Sequence, residues 1–217
     1  MPVLISAWKL IFYIFRIVHW QNVEHILTNG LCCRAHPDYD PNYINIGHQQ
    51  LIEDRHSHPV PLAGYGNLGD YIPFYFWGHS PMLYMIMHGF KGVKQYPQEE
   101  IVYIVVNSMR VIADGLKYVF TDRHAKRRVA KFFTNPNDFD KLRWDIIRSK
   151  DWKDTEEDMQ RMDFKQAEFL VRNHLSTAYI DGIFVKNETK KIEIENIIFN
   201  LGLHIPVSVA REGKLYY

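Results

Sequence analysis

This 217-residue sequence predicts an α+β fold. Short runs of β-branched and aromatic residues recur along it, at 12–20 (FYIFRIVHW), 71–76 and 101–106 (IVYIVV), and each has the length and composition of a strand. Helical patterns are short and scattered between them. The two kinds of segment do not alternate as regular βαβ units, which favours a mixed sheet with surrounding helices over a doubly wound one. One domain spanning 1–217 is expected, long enough to bury a sizeable core.

In chain order, the first strand ends at His19. Residues 21–27 form one short helix, with Asn22 at its start, Val23, Ile26 and Leu27 on one face, and Asn29-Gly30 as the stop. From 32 to 61 the hydrophobic pattern dissolves into a loop that holds four of the 11 histidines, together with Asp54 and Arg55. The stretch 64–84 (GYGNLGDYIPFYFWGHSPMLY) sets a glycine-rich turn before an aromatic strand, whose apolar run continues through 82–87. It is not a phosphate loop, because no Gly-Lys-Ser/Thr follows. Further strands are expected at 114–121, 166–171 and 204–210, helical pieces within 140–162, and a helix over 188–200 ahead of Gly202.

Net charge is +1, so no whole-chain field points to a polyanion, and any such site must be a local patch. Cys32 and Cys33 are adjacent, the wrong arrangement for a disulfide framework and one that suits a reducing compartment. The apolar N-terminal stretch is interrupted by Lys9 and Arg16 and falls short of the ~20 residues a spanning helix needs. It lacks a small-residue cleavage site as well. A cytoplasmic protein without a membrane segment is expected.

Among candidate sites, Asp54, His56 and His58 would share a strand face, but no cysteine pair completes a tetrahedral set, so no metal is expected. Glu168 stands out more: a carboxylate on an apolar strand must be paired or functional if it faces inward. Gln166 would lie on the same face, and together they could read a ribose hydroxyl and hold a developing cation. A basic cluster at 123–131 includes Lys126 and Arg127. With aromatic walls elsewhere, it fits a single-stranded nucleic acid, whose bases stack while cations follow its phosphates.

Four motifs together resemble one family: FRIVHWQN at 15–22, the whole 64–84 stretch, KQAEFLV at 165–171 and the terminal PVSVAREGKLYY. In this order they are similar to the DarT-type DNA ADP-ribosyltransferases, the toxins of bacterial toxin–antitoxin pairs. The resemblance implies an ADP-ribosyltransferase (PARP-like) fold, a split mixed sheet with helices around an NAD cleft. It implies transfer of ADP-ribose from NAD to a thymine or guanine of single-stranded DNA, at a preferred sequence, without a metal and with a block to replication. A macrodomain antitoxin (DarG-like) would be the protein partner, and the chain itself a monomer. Carried over residue by residue, His19 would contact a ribose of NAD, with Val18, Trp20, Asn22 and Leu27 beside it. Arg55 would orient NAD and assist catalysis, although Arg55-His56 stands where the family shows an arginine pair. Tyr71, Phe74 and Tyr75 would line the cleft, and Glu168 would be the catalytic glutamate. Residues 133–163 would form a substrate-binding loop, with Arg143, Trp144, Arg148 and Arg161 on DNA beside Lys126 and Arg127. The residues leave two alternatives open: an RNA or protein acceptor, or an inactive NAD- or DNA-binding module.

Overall fold

The computed structural model describes residues 13–217. Its strands are β1 (Tyr13–His19), β2 (Leu31–Cys32), β3 (Tyr71–Tyr75), β4 (Ile101–Asn107), β5 (Tyr118–Thr121), β6 (Phe132–Phe133), β7 (Glu168–Arg172), β8 (His174–Leu175), β9 (Ile180–Val185) and β10 (Val207–Val209). The helices are α1 (Val23–Asn29), α2 (Gln49–His56), α3 (Pro81–His88), α4 (Ser108–Ala113), α5 (Trp144–Ile147), α6 (Arg161–Lys165) and α7 (Glu188–Asn200). Eight strands form one sheet in the order β10-β9-β4-β1-β3-β7-β5-β6, and β2 pairs with β8 apart from it. Only β9 and β10 run parallel; the other pairs in the large sheet are antiparallel. This is the expected α+β, mixed-sheet architecture.

The period-two alternation of strand side chains divides the core. On β4, Val102, Ile104 and Val106 enter a cluster with Ile14, Val18, Ile194 and Ile198, while Ile101, Tyr103 and Val105 enter another with Ile17, Leu83 and Ile86. β4 is therefore covered on both faces, which is why IVYIVV reads as a continuous apolar run.

The sheet is split between β1 and β3. β1 pairs with β4 along its whole length but meets β3 only at Phe15↔Tyr75. Pro73 gives a physical reason. Its carbonyl accepts from Arg16 Nη1 at 3.0 Å, so this residue's backbone faces β1, and proline has no N–H to donate on that side. The ladder cannot continue, and the arginine side chain bridges the gap instead.

Several elements differ from the sequence expectation. The 32–61 segment holds α2, a helix with no buried residue, held by polar bonds: His48 Nδ1 accepts from Leu51 N (3.3 Å), Gln49 bonds Glu53 (2.7 Å) and Gln50 bonds Asp54 (2.8 Å). Asp54 and His56 accordingly lie on a helix, not on one strand face. The apolar run at 82–87 is α3, whose Ser80 cap and leading Pro81 are proper helix-start signals. β7 starts only at Glu168; Gln166 caps α6, and its side chain bonds Met162 O at 2.9 Å. Asn22 sits at the start of α1 but clamps Ile44 through its N–H and carbonyl, both at 2.9 Å. β2, β6, β8, β9 and α4 have no counterpart in the expectation, and residue 12 lies outside the described residues.

Candidate active site

Where β1 and β3 part, a cavity of about 220 Å³ opens. Arg16 and Ile17 line it from β1, Tyr71 to Pro73 and Tyr75 from β3, Glu168 from β7, and Arg55 and His56 from the end of α2. His124, after β5, also lines it, as do Arg34, Tyr39 and Tyr43.

Arg55 and Glu168 make a two-pronged pair at this cavity, Nη1 to Oε1 at 3.1 Å and Nη2 to Oε2 at 2.8 Å. Glu168 Oε1 also accepts from Ala125 N (3.0 Å), and the Glu168 backbone N–H donates to Thr121 Oγ1 (3.1 Å). Glu168 is 2 % exposed. Burial works against its charge, but the Arg55 guanidinium and its hydrogen bonds outweigh that and hold the carboxyl below the usual range. Burial likewise opposes the charge on Arg55, and Glu168 more than restores it. The pair is thus fixed as an ion pair in a geometry suited to carboxylate–guanidinium bonding.

Arg55 reaches this position because the glycine-rich turn lets α2 approach. A Cβ on Gly69 would stand 2.7 Å from His56 Cα and 2.9 Å from its Nδ1, so only glycine allows that contact. The turn is locked by Asp70, whose Oδ2 accepts from Asn67 N at 2.9 Å. Register then sets Glu168 opposite Tyr75, the same residue that meets β1 at the split. The Tyr75 hydroxyl donates to Met82 Sδ at 3.4 Å. Burial raises the Tyr75 hydroxyl well above its ordinary value, and raises that of Tyr71 to about 12.

Of the residues expected at the NAD site, Arg55, Tyr71 and Tyr75 line the cavity with Glu168, and Gln166 joins them. Val18, Leu27 and Phe74 lie in the main core. His19 is 3 % exposed and outside the lining; its Nδ1 accepts from Gln21 N, and its Nε2 lies 3.2 Å from Glu100 Oε2. Burial lowers its pKa against the pull of Glu100. Trp20 lies beneath the Lys190 ammonium, 3.8 Å from the ring centre. Asn22 is outside the lining; it clamps Ile44, whose neighbours Asn45 and Ile46 line the cavity. Arg16 and His124 were not anticipated. Arg16 had a signal, a lone charge inside an apolar strand, whereas His124 had none, because only topology brings the end of β5 beside β7.

The expected DNA residues are engaged within the chain. Arg143 forks onto Asp145 (3.0 and 2.8 Å) and reaches Asp158. Arg127 pairs with Asp163 and Lys126 with Asp54. Arg161 donates to the carbonyls of Lys153 (3.0 Å) and Asp151 (2.8 Å). Trp144 donates to Phe139 O (2.6 Å) and packs edge-on against Phe76. Arg148 covers the Trp144 ring, and its Nη2 is buried without a hydrogen-bond partner among the described residues. Among the described residues, no group of three or more His, Cys, Asp or Glu is placed to hold a metal ion, and no helix is long and apolar enough to cross a membrane.

A family model described as "ssDNA thymidine ADP-ribosyltransferase, DarT" matches residues 15–217. A curated DNA ADP-ribosyl transferase of Escherichia coli (EPEC) is 39% identical over 194 residues, covering 89% of each chain. One from Thermus sp. (strain 2.9) is 35% identical over 187 residues, 85% of this chain and 86% of that protein. Two solved structures of Thermus sp. 2.9 DarT share the fold. The complex with ADP-ribosylated ssDNA has a TM-score of 0.86 at 32% identity, over 95% of this chain and 97% of that one. The complex with NAD+ has 0.80 at 31% identity, over 95% and 98%. By sequence along almost its whole length and by fold, the chain belongs to the DarT family of NAD-dependent DNA ADP-ribosyltransferases.

Proposed function

We propose that this protein is the toxin of a bacterial toxin–antitoxin pair, transferring ADP-ribose from NAD to a base of single-stranded DNA at a preferred short sequence and so blocking replication. It acts in the cytoplasm as a monomer, and a macrodomain antitoxin reverses the modification. The observation that carries this reading is the Arg55–Glu168 fork at a cavity in the split of the sheet.

The lining suits a dinucleotide. Arg16, Arg34 and Arg55 offer cationic donors for a diphosphate, and Tyr39, Tyr43 and Tyr71 offer flat faces for rings. NAD supplies a ribose whose anomeric carbon becomes electron-poor as neutral nicotinamide departs. Glu168 stabilises that developing charge, as a carboxylate does in glycoside cleavage. A carboxylate has about four acceptor positions. Arg55 takes two and Ala125 one, so one remains for a ribose hydroxyl. Arg55 uses two of its five donors on Glu168, and the others are free for phosphate or base oxygens. It stays protonated, so it orients and neutralises instead of accepting a proton. His19, Val18, Trp20, Asn22, Leu27 and Phe74 act behind the lining, as supports of the walls around NAD.

The acceptor must be unpaired to expose a ring nitrogen. Residues 133–163 and the 123–131 turn form the proposed DNA face, carrying Arg143, Trp144, Arg148, Arg161, Lys126 and Arg127. Phosphates would exchange for the carboxylates that now hold most of these cations, whereas Arg148, stacked on Trp144, has no carboxylate to give up among the described residues. The family description names thymidine, so a thymidine-containing strand is the first substrate to try.

The test is to incubate the protein with NAD and an unpaired DNA oligonucleotide and weigh the product. A gain of one ADP-ribose, mapped to a base, is expected. Modification of RNA or protein alone would overturn the reading.

A further inference from the structure

We propose that Lys165 is a positioning residue that sets the spacing between Glu168 and the DNA backbone. It grips the chain on both sides of Arg148, so that the phosphate held by Arg148 brings one particular nucleotide to the reacting carboxylate. This rests on the DNA reading above and adds to it a residue from the interior of the protein. Lys165 is 3 % exposed, and no acid pairs with it among the described residues. A lysine is seldom buried unpaired, because its ammonium gives up its hydration. Burial accordingly lowers its pKa to about 7. Its Nζ donates instead to Ile147 O (2.7 Å) and Ser149 O (2.8 Å), the carbonyls of the residues before and after Arg148. An apolar side chain of similar length would fill the space, but only a head with several donors ties both carbonyls.

Both ends of this tie are fixed. Lys165 closes α6, which is bound to the 123–131 turn by the Arg127–Asp163 pair and by Arg123, whose Nη1 donates to Gln160 Oε1 (2.7 Å) just ahead of the helix. β7 then starts at Glu168 itself, so Lys165 and the carboxylate lie on one short stretch of chain. At the other end Ile146 and Ile147 are buried, and Arg148 lies across the Trp144 ring. The same helix grips the stretch that follows. Arg161 donates to Asp151 O and Lys153 O, so α6 holds the carbonyls of Ile147, Ser149, Asp151 and Lys153. The residues between them are Arg148, Lys150 and Trp152, two cations and an indole, the mixture that tracks a single strand. Phosphates repeat along such a strand, so a rigid distance from one phosphate contact to Glu168 decides which base meets the ribose. A displacement near 1 Å at a reacting centre can cost about 10²-fold in rate.

The test is a double-mutant cycle of Lys165→Met and Arg148→Ala, read by affinity for an unpaired oligonucleotide across salt concentrations and by affinity for NAD. It is run at about pH 8, where Lys165 is mostly uncharged and the loss of its own charge contributes little. Lys165→Met is expected to weaken oligonucleotide binding about tenfold, the scale of one lost charged hydrogen bond. It should lower the slope of log affinity against log salt by about 0.7, one phosphate contact, and leave NAD affinity unchanged. In the Arg148→Ala background the same substitution should add little, because the two act through one contact. Should Lys165→Met fail to bind NAD, Lys165→Gln, whose shorter amide cannot span both carbonyls, takes its place with the same expectations. Losses that add in the double variant, an unchanged salt slope, or equal losses of NAD and oligonucleotide in both variants would overturn the role of Lys165 while leaving the transferase reading intact. A wild-type protein that binds and modifies no single-stranded DNA would instead bring down that reading, and this one with it.

Discussion

Arg55 and Glu168 lie 113 residues apart in the chain and meet through two hydrogen bonds of 3.1 and 2.8 Å. One comes from a polar helix with nothing buried, the other from the first position of a buried strand. Replacing Glu168 therefore has two separable consequences. Glu168→Gln removes the charge that we propose stabilises the ribose cation and should lower transfer by roughly 10³-fold. Glu168→Ala should do the same and also strand a buried guanidinium, at about 3–5 kcal/mol of stability. Oligonucleotide modification and chemical denaturation, run on both variants, resolve the two effects. A glutamine variant with near-normal transfer would remove Glu168 from the chemistry.

The pair also sets an acid limit. The folded carboxyl has a depressed pKa, so the stabilisation is complete above the unfolded value of about 4.3 and is lost as pH falls through the folded one. Wild type should be more stable than Glu168→Gln near neutrality, with the gap closing below about pH 4. Unfolding midpoints for both proteins across pH 2–7 measure it, and a gap that stays the same at every pH would mean the carboxyl is not held charged by Arg55.

Gly69 is where the turn meets the end of α2, the helix that carries Arg55. Its Cβ would collide with the His56 backbone, so Gly69→Ala must push the end of α2, and Arg55 with it, away from Glu168. Overpacking of this kind costs about 1–3 kcal/mol. A displacement near 1 Å can cost about 10²-fold in rate. The expected signature is a turnover loss much larger than the fall in melting temperature explains. Gly64→Ala is the control, because its Cβ would meet nothing within 4 Å although its positive φ is strained by any side chain.

These residues also show what sequence could and could not reveal. β4 was legible because its odd and even positions both enter cores, so the apolar run is unbroken. α7 was legible from its run and its stop, and Glu168 because a carboxylate in such a strand needs a reason. α2 was not legible: it buries nothing, so no periodicity marks it, and its stability lies in side-chain bonds that composition does not display. Arg55 could be assigned only through family resemblance. The gap between β1 and β3 was hidden for another reason, since it depends on which way the Pro73 backbone faces. The family resemblance names His19 as a ligand contact, and the sequence shows Arg16 only as an interruption in a strand. The cavity lining includes Arg16 and leaves His19 outside.

Arg16 therefore carries its own prediction. Its Nη1 holds Pro73 O across the gap, and the side chain lines the cavity together with Arg34, Tyr39 and Tyr43. A guanidinium at a cationic, tyrosine-lined wall suits the donor substrate's phosphate oxygens. Arg16→Met should raise the KM for NAD by about 10-fold, with a smaller change in kcat, the pattern of lost ground-state binding. His19→Gln, a change outside the lining, should affect KM far less. Steady-state kinetics with NAD varied at saturating oligonucleotide distinguishes the two, and the reverse order would return the ligand contact to His19.

The DNA face is testable through salt. Arg143, Arg127 and Lys126 each give up an internal carboxylate to reach a phosphate, so their net gain on binding is small. Arg148 stacks on Trp144 with Nη2 unpaired and gives up no such partner. Arg148→Ala should therefore weaken oligonucleotide binding more than Arg143→Ala does. It should also reduce the slope of log affinity against log salt by about 0.7, the value for one phosphate contact on a single strand. Fluorescence anisotropy with an unpaired oligonucleotide, repeated across salt concentrations, gives both quantities. An unchanged slope in Arg148→Ala would move the phosphate path away from α5 and toward Arg128 and Lys131, which are exposed in the 123–131 turn beside Arg127.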